Sequence, residues 1–212
     1  MERVVHAPAF PSLHRWPVEV RYDQIALTPF RPGNHEELDA VRSRNQAWLA
    51  PWDATPPAPT KAPVSAHVGA RVRWDQARRG TSLPWILRLA TKASPAIGQV
   101  TVSNIVYGSA LFASMGYWID RKYAGFSIMP VAVALATDYC FITLGLHRME
   151  ICIRKENRAS LRVVEKLGFH YEGRRPKYIH IAGDWRDHEV FALYSEEVPS
   201  GVLSRVAPLT LR

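Results

Sequence analysis

Residues 148–171 decide the fold class of this sequence, and they read R-M-E-I-C-I-R-K-E-N-R-A-S-L-R-V-V-E-K-L-G-F-H-Y. A strand is predicted over residues 149–153, because the apolar side chains of Met149, Ile151 and Ile153 occupy alternate positions and would share one face. A helical pattern and a second apolar run follow. The stretch therefore predicts a strand, a helix and a strand in that order.

The middle of this stretch predicts a short helix of about three turns with both ends marked. Asn157 is a favourable N-cap residue, and Ser160 takes the third helical position. Apolar side chains then recur at the helical period, namely Leu161, Val164 and Leu167. Gly168 stands where a glycine commonly ends a helix, and Phe169 follows as its packing contact.

The run Asn157-x-x-Ser160, followed by Glu165-Lys166-Leu167-Gly168-Phe169, resembles a motif of the GCN5-related N-acetyltransferases (GNAT). Within that superfamily the sequence is most similar to the bacterial ribosomal-protein N-terminal acetyltransferases of the RimJ/RimL type. The resemblance covers residues 104–195 and extends more weakly back to Leu27. Without it, Asn157 would be only an N-cap and Ser160 only a solvated first-turn residue.

The strand and helix patterns of the whole chain predict a mixed α/β protein, and the resemblance implies the GNAT fold. The expected architecture is α/β (α+β), with a central mixed, mostly antiparallel sheet of about seven strands and about four helices. Residues 1–17 are expected to form an N-terminal arm and residues 199–212 a C-terminal tail. Residues 18–198 would form a single acetyltransferase domain, which suits a chain of 212 residues.

The first half of the domain is predicted to contain a strand over residues 18–29 and a helix that begins after the N-cap residue Asn34. Residues 54–63 hold four prolines and are predicted to form a loop, because proline disrupts both helices and central strands. A second helix is predicted over residues 64–79. Its inward-facing residues are expected to be Val68, Val72 and Ala77.

The second half is predicted to hold strands around one apolar, mostly buried helix. The elements are strands over residues 84–91, 97–106 and 111–120, the helix over residues 128–144, and two late strands over residues 178–182 and 190–194. Ser94-Pro95 marks the turn between the first two of these strands. Residues 183–187 would connect the last two.

The composition indicates a protein without a membrane span or a metal site. No apolar run approaches the 18 or so residues of a membrane helix, and residues 1–16 lack the apolar core of a signal peptide. Cys140 and Cys152 do not form a metal-binding or C-x-x-C pattern, so reduced thiols and a cytoplasmic location are expected. The net charge of +8 favours anionic partners. Nucleic acid is not expected among them, because no nucleic-acid motif is present.

A cofactor loop is predicted between the strand that ends at Asp120 and the helix that starts near Ile128. Free N–H groups at a helix start bind anions. The resemblance implies that this loop cradles the pyrophosphate of acetyl-CoA, with the residues Lys122, Tyr123, Ala124, Gly125, Phe126 and Ser127. Ser127 departs from the family's Gly or Ala and is not expected to take positive φ as freely as Gly. The backbone of Tyr117, Trp118 and Ile119 would hold the thioester, provided that the strand separates from its neighbour.

Acetyl transfer to an amine requires an acid and a base. The resemblance implies that Asn157 contacts the acetyl-CoA arm and that Ser160 protonates the leaving thiolate. The base is left open between Glu150 and Glu172, which are the leading candidates, and His147, Asp187 and His188. A water chain to a distant carboxylate is a further alternative. Each candidate could also be a structural ion pair or a packed imidazole.

The function implied is acetyl-CoA-dependent N-acetylation by direct attack in a ternary complex, with the N-terminal α-amine of a protein as acceptor, such as a ribosomal protein. The alternatives are a small-amine acetyltransferase and a non-catalytic relative that binds CoA or a partner, and a homodimer is one option for assembly. Trp48 and Trp52 would form either a packed corner or a cleft wall. The two segments expected to flank the mouth of the cleft, around residues 48–52 and 178–185, contain few acids, namely Asp53, Asp184 and Asp187. That scarcity argues against polycationic acceptors.

Overall fold

A single mixed sheet crosses the computed structural model, which describes residues 16–58, 65–91, 94–207 and 209. Its strands are β1 (Val20–Tyr22), β2 (Ile25–Pro29), β3 (Leu83–Leu89), β4 (Gly98–Val106), β5 (Phe112–Ile119), β6 (Arg148–Ile153), β7 (His170–Ile181) and β8 (Asp184–Tyr194). Their spatial order is β1-β2-β3-β4-β5-β6-β8-β7. All neighbours are antiparallel except β5 and β6, which run parallel. The predicted α/β class and mostly antiparallel sheet are confirmed, with eight strands where about seven were expected.

Helices cover both faces of the sheet. They are α1 (His35–Arg44), α2 (Gln46–Leu49), α3 (Ala66–Arg78), α4 (Ile128–Asp138) and α5 (Arg158–Leu167). The larger core joins α4 and α5 to one face, and a smaller core around Phe30 and Ile86 joins α1 and α3 to the other. Every residue of α4 is buried, including the polar Thr137 and Asp138, and the sequence pattern had predicted a mostly buried helix. Within the described ranges, no helix is long and apolar enough to cross a membrane.

Two predicted strand boundaries are wrong. Both lie at tight turns in which a residue other than glycine takes the first positive φ. The predicted first strand is the hairpin β1–β2, which turns at Asp23 with φ of 50°. Aspartate tolerates this left-handed conformation better than most residues. The late strands are much longer than predicted, because β7 and β8 meet at Ala182 (φ 50°) and Gly183 (φ 83°). Positive φ at both central residues gives a two-residue hairpin, so most of residues 183–187 belong to β8.

The inward face predicted for α3 is wrong at its two valines. Val68 and Val72 are 49% and 50% exposed, whereas Ala70 and Ala77 are buried. Small side chains let α3 approach the sheet closely, so its buried stripe is narrower than the valine spacing indicates. Residues 54–58 of the predicted proline-rich loop follow α2 without helix, whereas residues 59–64 lie outside the described part of the chain.

The segment predicted as a C-terminal tail is packed against the core. Asp138 at the end of α4 accepts hydrogen bonds from the backbone N–H groups of Val202 (2.6 Å) and Leu203 (3.0 Å). Val202 and Leu209 are buried. At the other end, Trp16 is also buried and packs edge-on against Trp85, so the packed domain extends beyond residues 18–198 in both directions. The arm predicted for residues 1–15 lies outside the described residues.

The sheet opens between its two parallel strands. β5 and β6 pair only at Phe112–Arg148, Ala113–Met149 and Ser114–Glu150. Beyond Ser114, β5 stays paired with β4 as far as Ile119, while β6 stays paired with β8 as far as Ile153. The condition set for the thioester role of β5, that the strand separates from its neighbour, is therefore met, and the separation splits the middle of the sheet.

Candidate active site

A cavity of about 810 Å³ fills the opening between β5 and β6. Most of the residues predicted to hold acetyl-CoA line it, namely Tyr117, Trp118, Ile119, Tyr123, Ala124, Gly125, Ser127, Asn157 and Ser160. Lys122 and Phe126 are not among the lining residues. The cavity thus brings together three separate segments: the end of β5, the loop before α4, and the first turn of α5.

The edge of β5 that faces β6 offers free main-chain groups. The N–H of Asp120 donates to the carbonyl of Ile97 over 2.8 Å, so the even-numbered positions of this strand are directed toward β4. Because backbone groups alternate along a strand, those of Tyr117 and Ile119 point into the opening. The Ile119 carbonyl accepts a hydrogen bond from Trp48 Nε1 at 3.2 Å. The remaining edge is suited to pair with an extended chain that carries amide groups.

The first turn of α5 forms the wall opposite this edge. Asn157 Oδ1 accepts from the backbone N–H of Ser160 at 3.1 Å, which confirms the predicted N-cap. The cap uses the amide oxygen and leaves the Asn157 Nδ2 hydrogens for a ligand. Tyr117 donates its hydroxyl to the Ser160 carbonyl at 3.4 Å, and burial raises the pKa of Tyr117, so the phenol stays neutral. Ser160 is therefore held at the cavity wall through its backbone, independently of its hydroxyl.

A buried aspartate fixes the start of the loop before α4. Asp120 Oδ2 accepts from Arg44 Nη2 at 2.8 Å, and Asp120 Oδ1 accepts from the backbone N–H of Lys122 at 3.2 Å. Burial alone would raise the pKa of Asp120, but these bonds outweigh it and hold the pKa below its usual value. Asn45 Oδ1 accepts from the N–H of Arg121 at 3.0 Å. Charge and hydrogen bonds therefore position the loop before any ligand binds.

Ser127 takes the conformation that its residue type was expected to avoid. Its φ is 60°, and that of Gly125 is 90°. Serine pays about 1–2 kcal/mol more than glycine for this left-handed backbone. Ser127 does not cap α4 with its side chain, so the first N–H groups of the helix remain available at the cavity, as an anion site requires.

A row of cations on α5 was missed by the sequence analysis. Arg158, Arg162 and Lys166 are exposed, lie four residues apart, and all line the cavity. Lys166 Nζ reaches to 3.5 Å from Ser127 Oγ, so the row meets the loop before α4. The i, i+4, i+8 spacing in the sequence was the signal for this shared face. Lys122, by contrast, places its Nζ 4.9 Å from the ring centre of Tyr123.

The opposite end of the cavity is walled by the segment between α2 and the proline-rich loop. Arg154 Nη1 donates to the Pro51 carbonyl at 2.7 Å, and its guanidinium lies 5.5 Å from the Trp52 ring centre. Trp48 and Trp52 both line the cavity. The segment is therefore a packed corner and a cleft wall at the same time. Ala54 forms a β-bridge with Ile181, which ties this wall to the β7–β8 hairpin.

The carboxylates predicted as bases lie outside the cavity lining. Glu150 is 4% exposed and accepts from Arg175 Nη1 at 2.6 Å and from Arg148 Nη2 at 2.9 Å. Burial alone would raise the pKa of Glu150, but the two arginines hold it below its usual range. Glu172 is bound by Arg148 and accepts a hydrogen bond from the Tyr194 hydroxyl, and the Arg148 contact lowers its pKa to about 2. Both carboxylates are occupied by neighbours, which argues against the predicted role as base.

The other candidate bases differ in whether they line the cavity. His147 Nε2 lies 3.1 Å from Glu196, and Asp187 accepts from the N–H of Lys177 at 2.7 Å, and neither lines the cavity. His188 does line it and is buried. Asp53 is the only carboxylate among the described lining residues, and it is paired with Arg42 at 2.6 Å. Within the described ranges, no group of three or more metal-binding side chains occurs.

Comparison with known proteins matches a family model described as an acetyltransferase (GNAT) domain to residues 24–170. The probable N-acetyltransferase YjcK of Bacillus subtilis is 42% identical over 101 residues, which make up 48% of this chain and 56% of the relative. The ribosomal protein uS5-alanine N-acetyltransferase of Escherichia coli is 34% identical over 105 residues, 50% of this chain and 54% of the relative. The chain therefore matches about half the length of each of these curated relatives.

A solved structure matches over most of the chain. RimJ of Mycobacterium smegmatis, in complex with CoA-disulfide, superposes with a TM-score of 0.81 at 29% sequence identity. The match covers 90% of this chain and 93% of the RimJ chain. The predicted resemblance to the GNAT fold and to RimJ/RimL-type proteins is confirmed.

Proposed function

The chain belongs to the GNAT acetyltransferase family, and on that premise we propose that it transfers an acetyl group from acetyl-CoA to the N-terminal α-amine of a protein, such as a ribosomal protein. The observation that carries the proposal is the opening between β5 and β6, which has a cationic end and a tryptophan-walled end. A thioester held in this opening would be accessible to an acceptor from the far side of the sheet. The proposed setting is the cytoplasm, where acetyl-CoA and ribosomes are found.

The cationic end has the chemistry of a CoA site. CoA carries a pyrophosphate, a 3′-phosphate and a pantetheine arm with two amide groups. The loop before α4 offers helix N–H groups to phosphate, and the row of Arg158, Arg162 and Lys166 adds three positive charges beside it. The free edge of β5 fits the amides of the arm. These features support CoA binding although Ser127 stands where the family's loop has Gly or Ala.

The tryptophan-walled end favours a chain terminus whose first residue has an uncharged side chain over a polycation. Asp53, the one carboxylate among the described lining residues, is already paired with Arg42, so little negative charge remains for a polyamine or an aminoglycoside. Asp184 and Asp187 do not line the cavity. A peptide that begins with a small neutral residue such as Ala or Ser fits this surface.

The proposed function is tested by incubating the protein with acetyl-CoA and a panel of acceptors and following the release of free thiol. Lysine-free peptides that begin with Ala or Ser are expected to turn over, whereas spermidine and an aminoglycoside give little reaction. The same peptides with a blocked N-terminus are the matched control, and they should be inert. Faster turnover of spermidine than of the best peptide would overturn the N-terminal assignment. Tight acetyl-CoA binding without any turnover would identify a non-catalytic relative.

Replacement of Ser160 by alanine is expected to lower kcat about 10- to 100-fold, because the leaving thiolate loses its proton donor. Acetyl-CoA affinity should change little, since the backbone of Ser160 keeps its contacts with Asn157 and Tyr117. Steady-state kinetics and calorimetric titration measure the two quantities. Ser43→Ala on the exposed face of α1 is the matched control. A Ser160→Ala enzyme with wild-type kcat would reduce Ser160 to a part of the helix start.

A further inference from the structure

We propose that His188 is the general base of this site and removes the proton from the acceptor amine. The inference rests on the proposed acetyl transfer and assigns a residue to the role that Glu150 and Glu172 do not fill. It is carried by the face of the sheet on which His188 lies, by the tautomer that its hydrogen bond imposes, and by the lack of a competing base in the cavity.

The strand register places His188 on the acceptor side of the sheet. On β8, Val190 pairs with Cys152 and Glu189 pairs with Ile153, so His188 lies one position beyond the end of β6, opposite Arg154. Side chains alternate along a strand, so His188 shares a face with Cys152.

Ile151 and Ile153 belong to the other face, where they join the core under α4 and α5. The His188 face is the one covered by Trp52, through the contacts of Arg154. Ser160, at the start of α5, approaches the cavity from the opposite side. The acid and the base therefore lie on the two sides of the split sheet, as direct transfer between two substrates requires.

A single hydrogen bond fixes which ring nitrogen of His188 is free. Nδ1 lies 3.1 Å from the carbonyl oxygen of Arg186, and a carbonyl can only accept, so Nδ1 carries the proton. The lone pair is then on Nε2. The bond from Nδ1 to Arg186 is the one hydrogen bond of His188 within the described chain. The imidazole and the Tyr178 ring pack edge to face, with centroids 5.8 Å apart. The imidazole is thus oriented, with its basic nitrogen uncommitted.

The surroundings keep this imidazole in its basic form. Burial lowers the pKa of His188, and the nearby charge of Arg154 lowers it further, while the Arg186 carbonyl, Asp187 and Glu156 act in the opposite direction. Arg175 is its register partner on β7 and adds a positive charge, although that guanidinium is bound to Glu150. A neutral imidazole near pH 7 is the form that accepts a proton.

No other described lining residue offers a comparable base on this face. Asp53 is committed to Arg42. Burial, reinforced by the charge of Glu150, raises the pKa of the Cys152 thiol to about 12, so it remains protonated. In the proposed step, the amine nitrogen bonds to the carbonyl carbon of the thioester while the C–S bond breaks. The amine proton passes to His188 Nε2, and the Ser160 hydroxyl proton passes to the thiolate. Exchange with solvent then restores both side chains.

The test compares His188→Gln with His170→Gln, an exposed histidine on β7 that lies outside the cavity lining. At pH 7, His188→Gln is expected to lower kcat/KM for an Ala-starting peptide about 100-fold, the low end of the effect of one general base. Acetyl-CoA affinity and melting temperature should stay near the wild-type values. His170→Gln should behave as wild type.

The pH profile distinguishes a base from a merely structural residue. Below about pH 8 the acceptor amine itself becomes protonated, so a plot of log kcat/KM against pH should have a slope of one in this range. In the wild type the slope should steepen to two below the pKa of His188, whereas in His188→Gln it should remain one. Exogenous imidazole should partly restore His188→Ala.

An unchanged kcat/KM in a folded His188→Gln enzyme would overturn the assignment. If the variant does not fold, a wild-type slope that stays at one down to pH 5 would overturn it equally, and a slope of two would support it. Failure of the proposed function is a separate result, since it would show as a wild-type protein without acetyl transfer.

Discussion

Replacement of Glu150 by alanine is expected to lower the free energy of unfolding by about 3 kcal/mol, because two arginines lose the carboxylate that they share. Glu150 is 4% exposed, and both of its oxygens accept from guanidinium groups. Removal of one partner from such a buried pair costs about 3–5 kcal/mol. The lower end of that range applies here, since the Arg175 side chain is 39% exposed and water can reach it.

The position of Glu150 makes this loss matter for the site. Glu150 pairs with Ser114 in the last residue pair before β5 and β6 separate. Its arginines come from β6 itself and from β7, so the cluster ties β6 to β7 across the intervening β8, beside the point where β5 and β6 separate. We therefore expect Glu150→Ala to weaken acetyl-CoA binding indirectly, by loosening the angle at which the two strands diverge.

Urea unfolding of Glu150→Ala, with the exposed Glu165→Ala on α5 as matched control, measures the effect. The control should shift the free energy of unfolding by less than about 0.5 kcal/mol. A Glu150→Ala protein that keeps its stability but loses more than about 100-fold in kcat would contradict this expectation. It would instead restore the catalytic role that the sequence suggested for Glu150.

The same cluster contributes to the acid stability of the protein. A carboxylate whose pKa is lowered by folding stabilises the protein fully above its unfolded pKa, and this contribution disappears as the pH falls. For Glu172 the pKa falls from 4.5 to about 2. The wild type should therefore lose stability as the pH falls between these values. Glu150→Ala should lose less over the same range, because Glu150, whose pKa is also lowered by its arginines, no longer contributes.

Replacement of Gly98 by alanine is expected to destabilise the protein by about 1–3 kcal/mol or more, since the new methyl group has no room. It would overlap the main-chain oxygen of Trp118 and lie 3.1 Å from Ile119 Cα. Both obstacles are backbone atoms, so relief requires β4 and β5 to move apart. Trp118 and Ile119 line the cavity, and acetyl-CoA affinity should fall together with stability.

Gly69→Ala is the matched control for this substitution. Gly69 lies within α3, and no atom lies within 4 Å of the added methyl group. Alanine in a helix interior should stabilise by about 0.5–1 kcal/mol relative to glycine. Thermal unfolding of both variants should therefore show shifts of opposite sign. Equal shifts would mean that the close approach at Gly98 is not a constraint.

Local signals explain which parts of the fold and site could be predicted from the sequence. The cap at Asn157, the glycine at 168 and the apolar helix α4 depend on residues a few positions apart, and each was found. The ion pairs of Glu150 could not be predicted, because Arg175 is 25 residues away and meets Glu150 only when β7 joins the sheet. A carboxylate beside a motif looks the same in sequence whether it is free or paired.

The other features that could not be predicted also depend on contacts between residues that are distant in sequence or on how an element packs. The hairpin at Ala182 lacks a strong turn dipeptide, so its strands were predicted too short. The cation row of α5 was visible as a spacing, but its direction toward the cavity depends on how the helix packs. The choice among histidines required burial and hydrogen bonds, which distinguish His188 from His147 only after folding.

The packed C-terminal segment has a consequence for synthesis of the protein on the ribosome. Asp138 bonds to backbone N–H groups 64 and 65 residues further along the chain, and Asp23 accepts from the N–H of Leu209, which is 186 residues away. Until this segment has left the exit tunnel, the end of α4 lacks its cover and the turn of the β1–β2 hairpin lacks its contact with Leu209. Contacts between such distant residues form late and slowly. The apolar helix α4 is therefore expected to remain accessible to chaperones until residues 202–209 have left the tunnel.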